Sequence, residues 1–191
     1  MSRALVLIDF INEIAHPNGK LATKGYSTFV EQHDVVSKVN ELIGKFRASQ
    51  DSIVHVTLAF QSNYSDQPKA SPIFGKAKDF GILQRDTWST QIIESIDVDK
   101  QHDAVVVKNR VSAFCNTGLS ATLRNLGVTD VFLAGIATDL AVDSAARSAH
   151  DDDFNVFVVK DACAAATTED HEGSLVTLAK LARLVDTADV Q

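Results

Sequence analysis

The sequence predicts a three-layer α/β fold of the Rossmann-like type, with about six parallel strands and helices on both faces of the sheet. Two observations support this prediction. Short apolar runs rich in branched residues alternate with segments of helical period, and strands covered by helices on both faces have this composition. No internal repeat or low-complexity segment breaks the alternation. Because 191 residues suit one domain with one core, we expect a single domain over residues 1–191.

The predicted strands are short apolar runs. They cover residues 4–8, 53–58, 104–107, 131–134 and 156–159, and a weaker sixth lies near Leu184 and Val185. Strands that alternate with helices run parallel through right-handed crossovers, so their carboxyl ends meet at one edge of the sheet. Folds of this kind bind their ligands beyond that edge. The residues that follow the strands are therefore the first candidates for a site.

Helices are predicted between the strands from the spacing of apolar residues. In residues 30–46, Val35, Val39 and Ile43 fall on one face. Further helical segments are predicted at residues 117–126, 140–150 and 174–183, and Gly127 is placed to cap the first of these. Residues 61–91 follow no regular pattern, and an irregular stretch of that length is typical of a functional loop or lid.

Charge and composition exclude several classes of partner. The net charge of −7 without a Lys/Arg cluster disfavours nucleic acid and anionic membranes. No apolar run approaches the roughly 18 residues that span a bilayer, and the run at residues 4–8 is too short for a signal peptide. Cys115 and Cys163 allow one disulfide at most and lack metal-type spacing. We expect a reduced, cytoplasmic protein that acts on a small molecule.

Two charged residues end predicted strands, where a site is expected. Asp9 ends the first strand and could act as a general acid or base with a raised pKa, or simply cap the next turn. Lys108 ends the third strand and could keep Asp9 ionised or stabilise developing negative charge. The alternative for Lys108 is a side chain that extends from the strand end into water.

A third element is the segment 135–141, which passes from a strand through a tight turn into a helix. Backbone N–H groups at such a helix start can hold an oxyanion, and the helix dipole lowers the pKa of a thiol there. The alternative is an ordinary connection in which Thr138 or Asp139 caps the helix.

Taken together, these segments resemble a known family. Residues 5–13, 108–114 and 135–139 are similar to the signature stretches of isochorismatase-like cysteine hydrolases, and residues 117–119, 145–147 and 159–163 add further matches in the same order. The family includes nicotinamidases, amidohydrolases of N-carbamoylsarcosine, biuret and ureidoacrylate, and isochorismatases. The resemblance implies a hydrolase that forms homodimers or homotetramers.

The resemblance also implies roles for particular residues. The family's catalytic Asp, Lys and Cys correspond to Asp9, Lys108 and Ala141, so the nucleophilic position carries a methyl group. A cis peptide is implied between Ile136 and Ala137, in an oxyanion turn that extends to Leu140. In an intact triad the thiolate attacks an amide or carbamoyl carbon and forms an acyl-enzyme. That covalent route is closed to a methyl group.

Three interpretations of Ala141 remain open at the sequence level. In the first interpretation, the chain is a hydrolase of small amide, ureido or carbamoyl C–N bonds in which alanine replaces the cysteine, either by engineering or by natural variation. Alternatively, it hydrolyses a vinyl ether as isochorismatases do, with Asp9 as the proton donor and water as the nucleophile. The third interpretation is a homologue that binds a ligand without catalysis. Cys115 is a further candidate nucleophile, although a lone cysteine is commonly a small buried residue.

The sequence predicts neither a metal nor a cofactor. Metal-binding members of the family carry a histidine after the second strand, whereas residues 59–66 have none and the six histidines are scattered. Aromatic residues on the loops around the predicted site suggest a pocket for a flat or partly apolar substrate, with core or subunit contacts as the alternative. These pocket candidates are Phe10, Phe60, Tyr64, Trp88 and Phe114.

Overall fold

The computed structural model describes residues 2–191, and within them the chain forms one six-stranded sheet in which every strand pair is parallel. The strands are β1 (Ser2–Ile8), β2 (Ser52–Leu58), β3 (Ala104–Lys108), β4 (Val128–Gly135), β5 (Asn155–Val159) and β6 (Arg183–Val185). They lie in the order β3-β2-β1-β4-β5-β6. The predicted α/β class and the parallel sheet are confirmed.

Helices cover both faces of the sheet. They are α1 (Asn12–Ala15), α2 (Tyr26–Gln32), α3 (Val35–Ala48), α4 (Ala77–Phe80), α5 (Leu119–Asn125), α6 (Asp143–Asp151) and α7 (Thr168–Leu178). The apolar face of α3 packs in one core cluster, whereas the buried residues of α5, α6 and α7 lie in a second cluster. No helix within residues 2–191 has the length and apolar character needed to cross a bilayer.

The alternation of side chains along β1 divides the core into these two layers. Leu5 and Leu7 belong to the cluster that contains α3, whereas Val6 and Ile8 belong to the opposite cluster. All four are at most 1% exposed, and full burial of such a side chain stabilises the fold by about 1.5–3 kcal/mol. Residues 4–8 of the strand are apolar at every position because neither face meets water there.

Two predicted helices have different bounds in the structure. The predicted helix at 30–46 is interrupted, because Asp34 adopts a left-handed conformation with φ of 52° between α2 and α3. The last helix begins six residues before the predicted 174, because the Thr167 hydroxyl accepts the Asp170 N–H at 3.1 Å and caps α7 there. Residues 61–91 contain the short helix α4 and a 3-10 turn at Trp88–Thr90.

The strand order places a crevice between β1 and β4. The chain passes from β1 to β2 and β3 on one side and then returns to β4 on the other, so connections leave these two neighbours in opposite directions. Gly135 allows the two strand ends to approach closely, because a Cβ there would lie 2.6 Å from the Ile8 carbonyl oxygen. Parallel sheets bind ligands at such a reversal point.

Candidate active site

Asp9 and Lys108 form a buried ion pair at the carboxyl edge of the sheet. The Asp9 Oδ2 lies 2.7 Å from the Lys108 Nζ, and the two side chains are 3% and 1% exposed. Asp9 has a positive φ of 61°, and its N–H donates to the Val56 carbonyl at 2.8 Å. The Lys108 Nζ also donates to the Val111 carbonyl at 2.7 Å. The structure therefore brings together the two charged residues that the sequence singles out.

The two oxygens of the Asp9 carboxyl group have different environments. Oδ2 is paired with Lys108, whereas Oδ1 is buried and has no hydrogen-bond partner within residues 2–191. Burial raises the pKa of Asp9, and the charge of Lys108, its hydrogen bond and the nearby backbone N–H of Leu58 oppose that rise. One oxygen is thus fixed by the lysine, and the other is available to exchange a proton with a ligand or water.

The turn after β4 contains a cis peptide bond between Ile136 and Ala137. Neighbouring N–H groups are already used: Ile136 donates to the Ile8 carbonyl at 3.0 Å and Thr138 to the Ala164 carbonyl at 2.8 Å. The hydrogen bonds of the described residues leave the Ala137 N–H without an acceptor. Of the three residues expected to form the oxyanion turn, Ala137 alone offers such a donor.

The expectation for Leu140 needs correction. Its N–H donates to the Ala137 carbonyl at 3.2 Å, and the Val142 N–H donates to the same carbonyl at 3.0 Å. The second bond spans five residues and is the π-type bond of the turn Thr138–Val142, which precedes α6. Leu140 therefore contributes an apolar wall rather than a free donor, because its N–H is used in the shorter bond to Ala137.

Ala141 is part of this π-helical turn and is 4% exposed. Its methyl group lines the same cavity as Asp9 and Lys108. The structure thus places position 141 on the wall of the cavity that contains the ion pair. The residue that arrives there has no nucleophilic atom.

The cavity above the ion pair has a volume of about 280 Å³. Its wall is mostly apolar, and it is formed by Asp9, Ile14, Leu21, Lys24, Tyr26, Leu58, Pro72, Ile73, Phe74, Lys108, Val111, Ile136, Ala137, Leu140 and Ala141. Sites for drug-sized ligands occupy about 300–1,000 Å³, so this cavity suits a smaller molecule. Two wider hollows, of about 700 and 670 Å³, contain neither Asp9 nor Lys108.

The five aromatic pocket candidates do not line this cavity. Three of them are core residues: Phe10 is 3% exposed, Phe60 is fully buried with its ring 5.6 Å from that of Phe74, and the Tyr64 hydroxyl donates to the Ile82 carbonyl at 3.0 Å. These three residues follow strand ends in the sequence, but their side chains pack against apolar neighbours in the core and do not face the cavity.

The other two candidates lie apart from the cavity for different reasons. Trp88 is 46% exposed, and its ring packs edge-on against His16 at 5.2 Å. Phe114 packs in the second core cluster, with its ring 6.3 Å from that of Phe154. Neither residue lines the cavity.

Sequence reasoning missed the residues that form the mouth of the cavity. Lys24 comes from the segment between α1 and α2, and Tyr26 is the first residue of α2, whereas Pro72 and Ile73 come from the irregular stretch after β2. The one signal in the sequence was Gly25, which separates Lys24 from Tyr26 and adopts φ of 115°.

Neither cysteine lines the cavity. Cys115 is exposed, whereas Cys163 is buried with its thiol donating to the Val159 carbonyl at 3.3 Å. Neither thiol is therefore in a position to act as a nucleophile in this cavity. Within residues 2–191 there is also no group of three or more His, Cys, Asp or Glu side chains arranged to hold a metal ion.

The two thiols are expected to differ sharply in reactivity. Burial raises the pKa of Cys163 to about 12, and the thiolate is the reactive form. Iodoacetamide at neutral pH should therefore label the native chain once, at Cys115, and label it twice after unfolding in guanidinium chloride. Intact-mass spectrometry with peptide mapping measures both values, and labelling of Cys163 in the native chain would contradict its burial.

The sequence matches the isochorismatase domain family over residues 3–189. It is 31% identical over 146 residues to the uncharacterized isochorismatase family protein YecD of Escherichia coli O157:H7, which covers 74% of this chain and 73% of that protein. It is 27% identical over 175 residues to ureidoacrylate amidohydrolase RutB of Enterobacter sp. (strain 638), covering 83% and 74%. A solved isochorismatase family protein from Burkholderia thailandensis has a TM-score of 0.83 at 30% identity, covering 99% of this chain and 93% of that one.

Proposed function

Because the chain belongs to the isochorismatase family and is a hydrolase, we propose that it cleaves a small molecule with Asp9 as the proton-transfer group and water as the nucleophile. The observation that carries this proposal is that the two oxygens of the Asp9 carboxyl group have different surroundings. Lys108 holds Oδ2, while Oδ1 is buried beside the cavity without a partner. A carboxyl group in this arrangement can take a proton from water and return it to a leaving group.

The bond that we propose is a C–N bond of an amide, ureido or carbamoyl group. Support comes from the similarity to a ureidoacrylate amidohydrolase. The Asp9 carboxylate takes a proton from water as the oxygen of that water bonds to the carbonyl carbon. The Ala137 N–H stabilises the resulting oxyanion. When the C–N bond breaks, Asp9 returns the proton to the leaving nitrogen.

The route needs neither a covalent intermediate nor a metal. A thiolate at position 141 would form an acyl-enzyme, but Ala141 offers only a methyl group. Lys108 has a defined part in the proposed route, because its positive charge favours the ionised form of Asp9 that accepts the first proton.

A second candidate reaction is hydrolysis of a vinyl ether. Two observations favour it: position 141 has no nucleophile, and the pKa of Asp9 is raised. Here protonated Asp9 gives its proton to the terminal alkene carbon, and the double-bond electrons form that C–H bond. Water adds to the resulting oxocarbenium ion and gives a proton back to Asp9. The hemiketal then collapses to a ketone and an alcohol.

The pH dependence of turnover distinguishes the two reactions, because they start from opposite protonation states of Asp9. The rate of C–N hydrolysis should rise with pH through the raised pKa of Asp9, since the ionised carboxylate is the base. The rate of vinyl-ether hydrolysis should fall over the same interval, since the acid form is the donor. The measurement is kcat against pH for small ureides, amides and vinyl ethers.

The same assay run with Ala141→Cys provides the matched variant. Restoring a thiol beside Asp9 should increase amide turnover and leave vinyl-ether turnover without gain. If neither protein turned over any compound in these classes, the proposal would fail, and a ligand-binding role would replace it.

We also propose that the protein works as a cytoplasmic homodimer or homotetramer of single-domain subunits. Both cysteines are free, as is usual in a reducing compartment. On the edge strand β3, Val105 and Val107 are 56% and 40% exposed, and subunit contact would cover such apolar groups. The family match over residues 3–189 supports the single domain.

A further inference from the structure

The active-site cavity contains one charge without a counter-charge. Among the residues that line it, Asp9, Lys24 and Lys108 are charged. Asp9 and Lys108 neutralise each other at 2.7 Å, which leaves Lys24. Within residues 2–191 Lys24 takes part in no ion pair. The residues that line the cavity therefore carry one uncompensated positive charge, in a chain whose net charge is −7.

The turn that carries Lys24 is held in place by buried contacts. Glu13 is 3% exposed, and its carboxylate Oε1 accepts the N–H groups of Lys20 at 2.9 Å and Leu21 at 3.2 Å. Gly25 packs so closely on the next segment that a Cβ would lie 2.2 Å from the Ala166 carbonyl oxygen. Lys24 thus extends from an anchored turn, so the backbone that carries it is fixed before a ligand binds.

Tyr26 adds a neutral donor to the same part of the wall. Burial, and then the charges of Asp139 and Asp170, raise its pKa. The phenol therefore keeps its proton at neutral pH and can donate a hydrogen bond. Asp139 and Asp170 do not line the cavity, so Lys24 and Tyr26 are the polar groups at its mouth.

The remainder of the wall between the mouth and the ion pair is apolar. Leu21, Phe74 and Leu140 contribute to it, and Ile73, which is 49% exposed, continues this surface to solvent. A ligand that fits this wall has a hydrocarbon body, because a polar body would lose hydration without gaining partners.

We propose that the substrate is a small carboxylic acid with an apolar body, and that Lys24 and Tyr26 bind its carboxylate at the mouth of the cavity. This inference rests on the proposed function in placing the scissile group at Asp9. One ammonium and one hydroxyl match a singly charged carboxylate, whereas a phosphate carries more charge and acceptor oxygens than these donors satisfy. Lys24 is then a specificity-determining residue, and it takes no part in proton transfer.

Equilibrium binding tests the inference without requiring turnover. The probes are two pairs of similar shape, benzoate with acetophenone and isobutyrate with isopropyl methyl ketone. Affinities are measured by ligand-observed NMR on the full chain, on Lys24→Gln, and on Lys180→Gln as a control for an exposed lysine outside the cavity. The carboxylates should bind the native chain more tightly than their ketones, and Lys24→Gln should weaken carboxylate binding about tenfold or more.

Lys24→Gln should leave ketone binding unchanged, and Lys180→Gln should leave both unchanged. Equal loss of carboxylate affinity in the two variants would overturn the inference, since it would reflect net charge alone. Failure of the native chain to bind either carboxylate in preference to its ketone would overturn it as well. Because no step of the measurement involves catalysis, the proposed reaction can fail while carboxylate recognition stands, and the reverse also holds.

Discussion

Replacing Asp9 by asparagine is expected to lower kcat by about two to four orders of magnitude, because the variant loses the group that moves the proton. Asparagine is the appropriate replacement for two reasons. It tolerates the left-handed backbone that φ of 61° requires at this position. Its amide oxygen can also still accept a hydrogen bond from Lys108. Steady-state kinetics on a substrate identified by screening measures the loss.

The matched control for this experiment is Asp34→Asn. Asp34 is an exposed aspartate that also adopts a left-handed conformation, with φ of 52°, and it does not line the cavity. The control should keep kcat within about twofold of the native value, as expected for a surface change. Circular dichroism establishes that both variants are folded. An Asp9→Asn enzyme with native kcat would refute the assignment of Asp9 as the proton-transfer group.

Replacing Lys108 by methionine is expected to reduce the free energy of unfolding by about 3–5 kcal/mol at neutral pH, because it leaves a buried carboxylate without its counter-charge. Methionine retains most of the volume of the lysine chain, so the loss of packing is small. Urea denaturation followed by tryptophan fluorescence, which reports on the one tryptophan of the chain, measures the change.

The loss of unfolding free energy in Lys108→Met should become smaller as the pH falls. Burial raises the pKa of Asp9 in the folded chain, and removing Lys108 removes the largest opposing contribution. A group whose pKa is raised by folding stabilises the native state below its unfolded pKa, and that stability is lost as the pH rises through the folded pKa. The deficit of Lys108→Met should therefore shrink on acidification.

Two further variants make the result interpretable. Asp9→Asn combined with Lys108→Met removes both charges and should recover part of the lost stability, because no unpaired charge remains. Lys160→Met breaks a half-exposed ion pair with Asp186, which should cost less than about 1 kcal/mol. Equal losses in Lys108→Met and Lys160→Met would show that burial of the Asp9–Lys108 pair is energetically unimportant.

The local sequence indicates where Asp9 and Lys108 lie in the fold, and the structure pairs them. Asp9 and Lys108 adjoin apolar runs, and the parallel sheet brings the ends of such runs to one edge. The residues that a long-range contact places could not be predicted. Lys24 reaches the cavity because Glu13 binds the turn before it, and Gly25 packs against residue 166, a distant segment.

The aromatic candidates illustrate a second limit of sequence reasoning. Phe60 and Phe74 both follow β2, yet Phe74 lines the cavity and Phe60 is fully buried beside it. An aromatic ring gains similar free energy from either location, so its residue type does not distinguish a ligand wall from the core. The hydrogen bond of the Leu140 N–H was unpredictable because the composition of residues 137–142 does not distinguish a turn in which that N–H is bonded from one in which it is free.

The walls of the cavity differ in their tolerance of mutation, and this difference has an evolutionary consequence. The inner wall consists of buried strand ends and a tight turn, where substitutions cost several kcal/mol. Lys24, Pro72 and Ile73 are exposed, and changes at such positions usually cost less than about 0.5 kcal/mol. Substitutions at the mouth of the cavity can therefore change which ligands bind during evolution, while the buried residues that carry out the reaction stay the same.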